Sequence, residues 1–498
     1  MTQICQRPVS AEPFSIVIGG KLAPMKLGRS NKGTPRVPQD LERYRSLVDD
    51  WSGFVTAVSR PLPRCVRIQS QRIAAGELEA LLTADGMQPR PLAWTNGAFR
   101  LGCSEGLGRR WWYLAGLCHS QEEASMLPVQ LLDPRPGDRV LDLCAAPGSK
   151  TAQIALALES EGTVVANDSS VSRLRALRST LDRLGLANVS VTRCEGSVFP
   201  RGCGTFDRIL VDAPCAGDGT SRRRPDARRA GLDRDYTRVQ KRLLRRAVRL
   251  CRPGGRIVYS TCSFAPEENE MVVDAILGED SRRELKLVAS KVTGLKTAHG
   301  VTSWRGTDLH PELRLAVRLW PHHNDTGGSF AALLEKSHGP LAEANPPLPL
   351  AAASSDEWHS EVGEWFGIDD EIWQRFIIHR SSARRLHLTN RDHAAPASPF
   401  PVSVGLPFLK TGHRYPKLST AAALLLAGAA NRNVVELEPD QLEAYHEGRT
   451  FAINPTQTRT CTATGYVIVR HRGHGLGVAL HDTDARTLRS LFAARWKG

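Results

Sequence analysis

Val140-Leu-Asp-Leu-Cys-Ala-Ala-Pro-Gly-Ser-Lys-Thr151 decides the fold of this 498-residue chain. Val140, Leu141 and Leu143 predict a short buried strand, Pro147-Gly148 a tight turn, and Lys150–Leu158 the opening of a helix. A strand, a glycine-bearing turn and a helix N-terminus in that order begin a doubly wound α/β unit. Ligands in such sheets bind against this first turn, outside the carboxyl ends of the strands. The turn lacks G-x-G-x-x-G, and Leu143 stands where G-x-x-x-x-G-K-[ST] needs its first glycine. A dinucleotide or a nucleoside triphosphate is therefore not the expected ligand. Small residues around one glycine suit a molecule whose carboxylate and ammonium meet the backbone directly, as those of S-adenosylmethionine do.

Downstream, Thr163–Ala166 predicts a second strand ending in Asn167-Asp168, before a helix over Val171–Leu184 that Gly185 closes. Asp168 lies twenty residues past Gly148, a spacing that serves ribose hydroxyls, although an acid there can also cap the next helix. Val189–Thr192 gives a third strand. Glu195 follows it, as an acceptor for an adenine amino group or as a solvated loop acid. Phe206–Asp212 is the fourth strand, followed by Ala213-Pro-Cys-Ala-Gly-Asp-Gly-Thr220, and Arg256–Cys262 is the fifth. Cys215 and Cys262 thus fall just beyond the carboxyl ends of two successive strands, at the ligand edge. A buried structural cysteine, the reading for Cys251, would not need that loop placement.

The net charge of +14 and a pI near 9.5 favour a polyanionic partner such as nucleic acid. Eleven cysteines without a C-x-x-C pair argue against a zinc site or a disulfide framework, and for a reducing, cytoplasmic setting. No apolar run is long enough for a membrane span. From Arg222 to Arg256 there are fourteen Lys or Arg against three acids, and Arg242, Arg245, Arg246 and Arg249 are expected on the outer face of a helix, tracking phosphates.

Residues 1–38 read as a flexible basic arm. A helix is expected from Pro38 through Leu41, Tyr44, Leu47 and Val48, leading into a small α/β module over 39–130. Trp111, Trp112 and Tyr113 can stack on bases but suit core or interface packing better. The stretch Ser120–Pro128 predicts a capped helix, and Leu313–Leu319 a strand. His322 and His323 are not expected to hold a metal, because neighbours in an extended loop project apart and no third ligand is evident. The segment 337–356 reads as a linker, and 357–498 as a separate unit with a helix near Asp440–Glu447 and a strand at Tyr466–Arg470.

Two thiols and an acid at one edge permit a specific chemistry. Carbon 5 of cytosine is a poor nucleophile until a thiolate adds at carbon 6, after which it can take a methyl group from a sulfonium. A base must then remove the carbon 5 proton so that the thiol can leave. Asp212, Cys215 and Cys262 supply the residue types.

Residues 115–336 resemble the Nop/Sun family of RNA cytosine-5 methyltransferases. The resemblance rests on Leu-Asp-Leu-Cys-Ala-Ala-Pro-Gly-Ser-Lys-Thr (141–151), Val-Asp-Ala-Pro-Cys-Ala-Gly-Asp-Gly-Thr (211–220) and Tyr-Ser-Thr-Cys-Ser-Phe-Ala-Pro-Glu-Glu-Asn-Glu (259–270). Pro-His-x-x-x-Thr-Gly-Gly (321–328) is a weaker match. It implies a Rossmann-like class I methyltransferase core over 131–336 that uses S-adenosylmethionine on rRNA, or on tRNA. By the same resemblance Cys262 is the nucleophile, Cys215 aids release, and Asp212 with Lys150 steadies the base. The implied cofactor contacts are Cys144, Ala145, Ala146, Pro147, Gly148, Ser149, Lys150, Asp168, Glu195 and Asp212. Glu195 stands where many relatives carry Asp, and Ala216 replaces the commoner Ser. The N-terminal module is RRM-like by analogy, and the C-terminal unit resembles a PUA-like RNA-binding domain through Val435–Gly448, Gly465–Val469 and Gly475–Gly477. A monomer without a metal is expected. The rival reading, a non-catalytic RNA-binding assembly factor, leaves the two thiols without a purpose.

Overall fold

Successive residues of the central strands face opposite layers. Val140, Val164 and Ala166 pack with the helices on one side of the sheet, and Leu141 and Val165 with those on the other. Strands buried on both faces read as near-continuous apolar runs, which is why these short segments are legible. The computed structural model describes residues 39–222, 236–280, 284–337, 348, 350 and 355–492. The basic arm, Arg223–Asp235, most of the linker and the last six residues lie outside them.

The sheet carries β1 (Arg139–Asp142), β2 (Thr163–Asn167), β3 (Val189–Thr192), β4 (Phe206–Asp212), β5 (Cys251–Thr261), β6 (Val317–Leu319) and β7 (Ser329–Lys336) in the order β6-β7-β5-β4-β1-β2-β3. The pairs among β1–β5 are parallel, and β7 is antiparallel to both β5 and β6. This is a Rossmann-like doubly wound sheet. One layer holds α1 (Ser149–Ala157) and α2 (Val171–Leu184), the other α3 (Thr237–Leu250) and α4 (Glu270–Glu279). Helix α2 starts at Ser170, whose hydroxyl accepts from the Arg173 amide, and ends at Gly185 with φ +70°. Of the strand expected at Leu313–Leu319, only Val317–Leu319 forms, because Pro311–Leu315 is a 3₁₀ turn.

Upstream, Arg64–Ile68, Pro89–Pro91, Ala98–Leu101 and Cys118–Ser120 form an antiparallel sheet in the order second, third, first, fourth, with the helix Ala75–Ala84 after the first strand. Trp112 is fully buried and donates to Asp85, Trp111 meets His471 edge-on, and the Arg183 guanidinium lies over the Tyr113 ring. All three are held in packing contacts. The long helix expected from Pro38 is broken: a turn at Gln39–Glu42 and a 3₁₀ segment at Arg45–Leu47 precede a second helix, Trp51–Val58. Asp50 caps that helix by accepting from the Gly53 amide, so the chain must extend at Val48 to restart. The helix expected in Ser120–Pro128 lies later, at Leu127–Leu132, after a 3₁₀ turn.

The C-terminal residues are not a separate unit. Ser403–Val404 adds an antiparallel strand to β3 of the central sheet, with Val402 donating to the Val191 carbonyl. The rest carries two sheets, of four strands (from Phe376–Ser382 to Lys417–Leu418) and five strands (from Val434–Glu436 to Thr487–Ser490).

Candidate active site

Gly148 sets the first turn. Its φ of +109° and a would-be Cβ only 2.7 Å from Leu177 of α2 leave glycine as the residue that fits, so α1 starts against α2. The N-terminus of α1 carries no side-chain cap, and its first-turn amides face the carboxyl edge of the sheet. Asp142, at the end of β1, accepts from Thr151 through one oxygen, while the other is buried with no partner among the described residues. Burial pushes the Asp142 carboxyl up to about 7.

Asp168, just past the end of β2, leaves the capping of α2 to Ser170. It accepts from the Ser170 and Ala146 amides (2.9 and 3.3 Å), tying the turn to the start of α2, and it pairs with Arg173 at 3.2 Å. Glu195 faces outward: its exposed carboxylate takes the Ser197 hydroxyl and an ion pair with Arg242. An uncapped helix start, an orphaned buried carboxyl oxygen and acids ending neighbouring strands complement a ligand carrying both carboxylate and ammonium.

The two thiols meet. Cys215 Sγ lies 3.3 Å from Cys262 Sγ, just past the ends of β4 and β5. The hydrogen bond to Cys262, and then burial, hold the Cys215 thiol well above its ordinary range. Beside them, Asp212 accepts from Lys150 Nζ and Ser260 Oγ, both at 2.8 Å. Burial works against the Lys150 charge, but Asp212 outweighs it and raises the lysine.

Sequence reasoning missed the groups that tether these loops. Asp218 Oδ1 accepts from the Gly219 and Phe264 amides (2.9 and 2.8 Å), joining the Cys215 loop to the Cys262 loop. Gly219 also donates to the Cys262 carbonyl at 2.9 Å and accepts from Gly328 at 2.8 Å. Glu268 accepts from the Ala216 amide. Asn269 accepts from Thr261 and donates to the Ser263 carbonyl. Beneath them Arg318 pairs with the fully buried Glu270 and donates to the Phe264 carbonyl at 2.8 Å. These acids stand in the quoted motifs, but only the fold shows that they face inward.

Two expectations need correction. Arg222, counted among the fourteen basic residues of the 222–256 segment, has a buried side chain that donates to the Arg60, Pro61 and Thr326 carbonyls and pairs with Asp325. On α3, Arg245 pairs with Glu279 and Arg246 donates to the Phe199 carbonyl, which leaves Arg242 and Arg249 exposed. His322 and His323 do not project apart, because Pro321–Asn324 is a helical turn. Both Nε2 atoms reach Asp49 (2.7 and 2.9 Å), the third group that sequence reasoning did not find. Lys296 Nζ, 3.7 Å from the same carboxylate, already supplies it with a cation.

Residues 129–335 match the family described as 16S rRNA methyltransferase RsmB/F. The chain is 38% identical over 301 residues to the tRNA (cytosine(49)-C(5))-methyltransferase of Pyrococcus abyssi, covering 59% of this chain and 95% of that one. It is 32% identical over 465 residues to the ribosomal RNA small subunit methyltransferase F of Aeromonas hydrophila, covering 85% and 89%. A crystal structure of a methyltransferase homologue from Pyrococcus horikoshii superposes with a TM-score of 0.51 at 32% identity, covering 60% of this chain and all of that one. The chain belongs to the RsmB/F (Nop/Sun) family of S-adenosylmethionine-dependent RNA cytosine-5 methyltransferases.

Proposed function

We propose that this enzyme methylates one cytosine of ribosomal RNA through a covalent Cys262 adduct. The observation that carries the reading is the pair of thiols 3.3 Å apart beside the Lys150–Asp212–Ser260 cluster. Ribosomal RNA is favoured over transfer RNA because the small-subunit rRNA relative aligns along 85% of the chain and the tRNA relative along 59%.

Cys144–Lys150, Asp168 and Asp212 hold the cofactor, with Glu195 at the rim beyond β3. Bound there, S-adenosylmethionine supplies an electrophilic methyl group. Cys262 adds to carbon 6 of the base, breaking the 5,6 double bond and loading electron density onto carbon 5. Asp212, fixed by Lys150 and Ser260, holds the polar edge of the ring in place during addition. Once carbon 5 is methylated, solvent takes its proton, the electrons of that bond re-form the 5,6 double bond, and the Cys262 sulfur leaves carbon 6 as a thiolate. Cys215, the protonated thiol beside that sulfur, stabilises it as it departs.

The flanking parts dock the RNA: the RRM-like module over 39–130, the PUA-like region over 357–498, the basic arm 1–38, and exposed Arg242 and Arg249. The enzyme works as a monomer in the cytoplasm and takes no metal. All ten described cysteines are free thiols, which suits a reducing compartment. No helix of the described residues is long and apolar enough to cross a membrane.

Incubation with RNA containing 5-azacytidine tests the reading. Wild type should form a denaturation-resistant RNA adduct and Cys262→Ala none. With ordinary RNA, Cys215→Ala should accumulate the adduct. An adduct in Cys262→Ala and none in Cys215→Ala would reverse the two roles, and adducts in neither protein would remove the covalent reading.

A further inference from the structure

The thiols are set in place partly from outside the catalytic sheet. Tyr44 lies between the Gln39–Glu42 turn and the Trp51–Val58 helix and is 1% exposed. Its ring packs edge-on against Phe264, at 5.8 Å between centroids, within a cluster of Leu41, Val48, Phe54, Val58, Ala265 and Trp320. A phenylalanine would fill that apolar space equally well. The hydroxyl does something else: it donates to Asp218 Oδ2 at 2.6 Å.

Asp218 is the carboxylate whose other oxygen receives the Gly219 and Phe264 amides. It lies three residues after Cys215, and Phe264 lies two residues after Cys262, so its rotation sets how far apart the two thiol-bearing loops stand. Ser263 also faces the Asp218 carboxylate from within the Cys262 loop. Tyr44 is the group that holds it from outside both loops. Asp218 is 4% exposed, so water does not readily replace a lost donor.

We propose that Tyr44 is a positioning residue for the reaction: its hydroxyl fixes the Asp218 carboxylate and, through it, the relative placement of Cys215 and Cys262. The N-terminal segment thereby completes the active site. The inference rests on the thiol roles given above.

The test uses the full-length enzyme, tritiated S-adenosylmethionine, and total RNA from a strain lacking the gene. Tyr44→Phe should lower kcat about 10-fold, the scale expected when reacting groups shift by a fraction of an ångström, while both KM values stay within about two-fold. Because Tyr44 acts through Asp218, Tyr44→Phe should add no further loss in an Asp218→Asn background. Val48→Ala, which thins the same apolar cluster without touching Asp218, should lower the melting temperature and leave kcat unchanged. An unchanged kcat in Tyr44→Phe would overturn the inference, as would a loss that adds in full to that of Asp218→Asn, or one matched by an equally destabilised Val48→Ala. Cys262→Ala in the same assay separates the layers. Methylation retained there removes the thiol reading itself, whereas an inactive Cys262→Ala beside a fully active Tyr44→Phe removes only this inference.

Discussion

Replacing Gly219 by alanine would place a methyl carbon 2.6 Å from the Cys262 carbonyl oxygen and 2.7 Å from that of Gly328. Carbon–oxygen contacts settle at about 3.3 Å, so one or both loops must retreat by roughly 0.7 Å. The obstacles are backbone atoms of two tethered segments, and no side-chain rotation relieves them. The shift strains the Gly219-to-Cys262 and Gly328-to-Gly219 hydrogen bonds, worth about 1 kcal/mol each. Overpacking adds about 1–3 kcal/mol, for a total loss on the order of 3–5 kcal/mol. Since 1 Å of misplacement can cost about 100-fold in rate, Cys262 displaced by most of that distance should lose roughly 10- to 100-fold in the chemical step. The assay is single-turnover methylation at saturating RNA and cofactor, beside urea unfolding. Gly278→Ala is the control, because it lies in α4 with nothing within 4 Å of its would-be Cβ. It should be neutral or slightly stabilising. A Gly219→Ala enzyme with wild-type rate and stability would refute the claim that this glycine registers the thiol loops.

Other outcomes follow from the same framework. Arg318→Met should destabilise by about 3–5 kcal/mol, because Glu270 keeps a fully buried charge without its partner; Arg318→Met with Glu270→Gln should recover part of that loss in urea unfolding. Asp142, raised to about 7 by burial, holds its proton in the folded protein after the unfolded chain has lost it. Wild-type stability should therefore fall as pH rises from about 4 to 7, and Asp142→Asn should lack that component when unfolding midpoints are compared across pH. Arg249→Glu, on the exposed face of α3, should weaken RNA binding and flatten its salt dependence without changing cofactor binding, as measured by filter binding across salt concentrations.

The catalytic core was legible because each strand is a short apolar run ended by a motif, and because Gly185 marks where α2 stops; its cap, Ser170 rather than Asp168, shows only in the fold. The thiol pair was legible for the same reason: strand ends in a parallel sheet share one edge. What escaped reading depends on contacts distant in sequence. Nothing in Tyr44 or in the capping Asp50 announces that the first helices pack on Phe264 and Trp320. Arg222 reads as one more charge in a basic run until the fold surrounds it with carbonyls. Ser403–Val404 is too short to show a pattern, yet it extends the central sheet. An extended loop would send His322 and His323 apart, whereas the single helical turn at Pro321–Asn324 is enough to turn both toward Asp49.

Bisulfite sequencing of total RNA tests the central claim most directly, comparing a deletion strain with its parent and with strains carrying wild-type or Cys262→Ala protein. One cytosine of ribosomal RNA should lose its protection in the deletion strain, regain it with wild type, and stay unprotected with Cys262→Ala. Unaltered protection throughout, or full restoration by Cys262→Ala, would contradict the account.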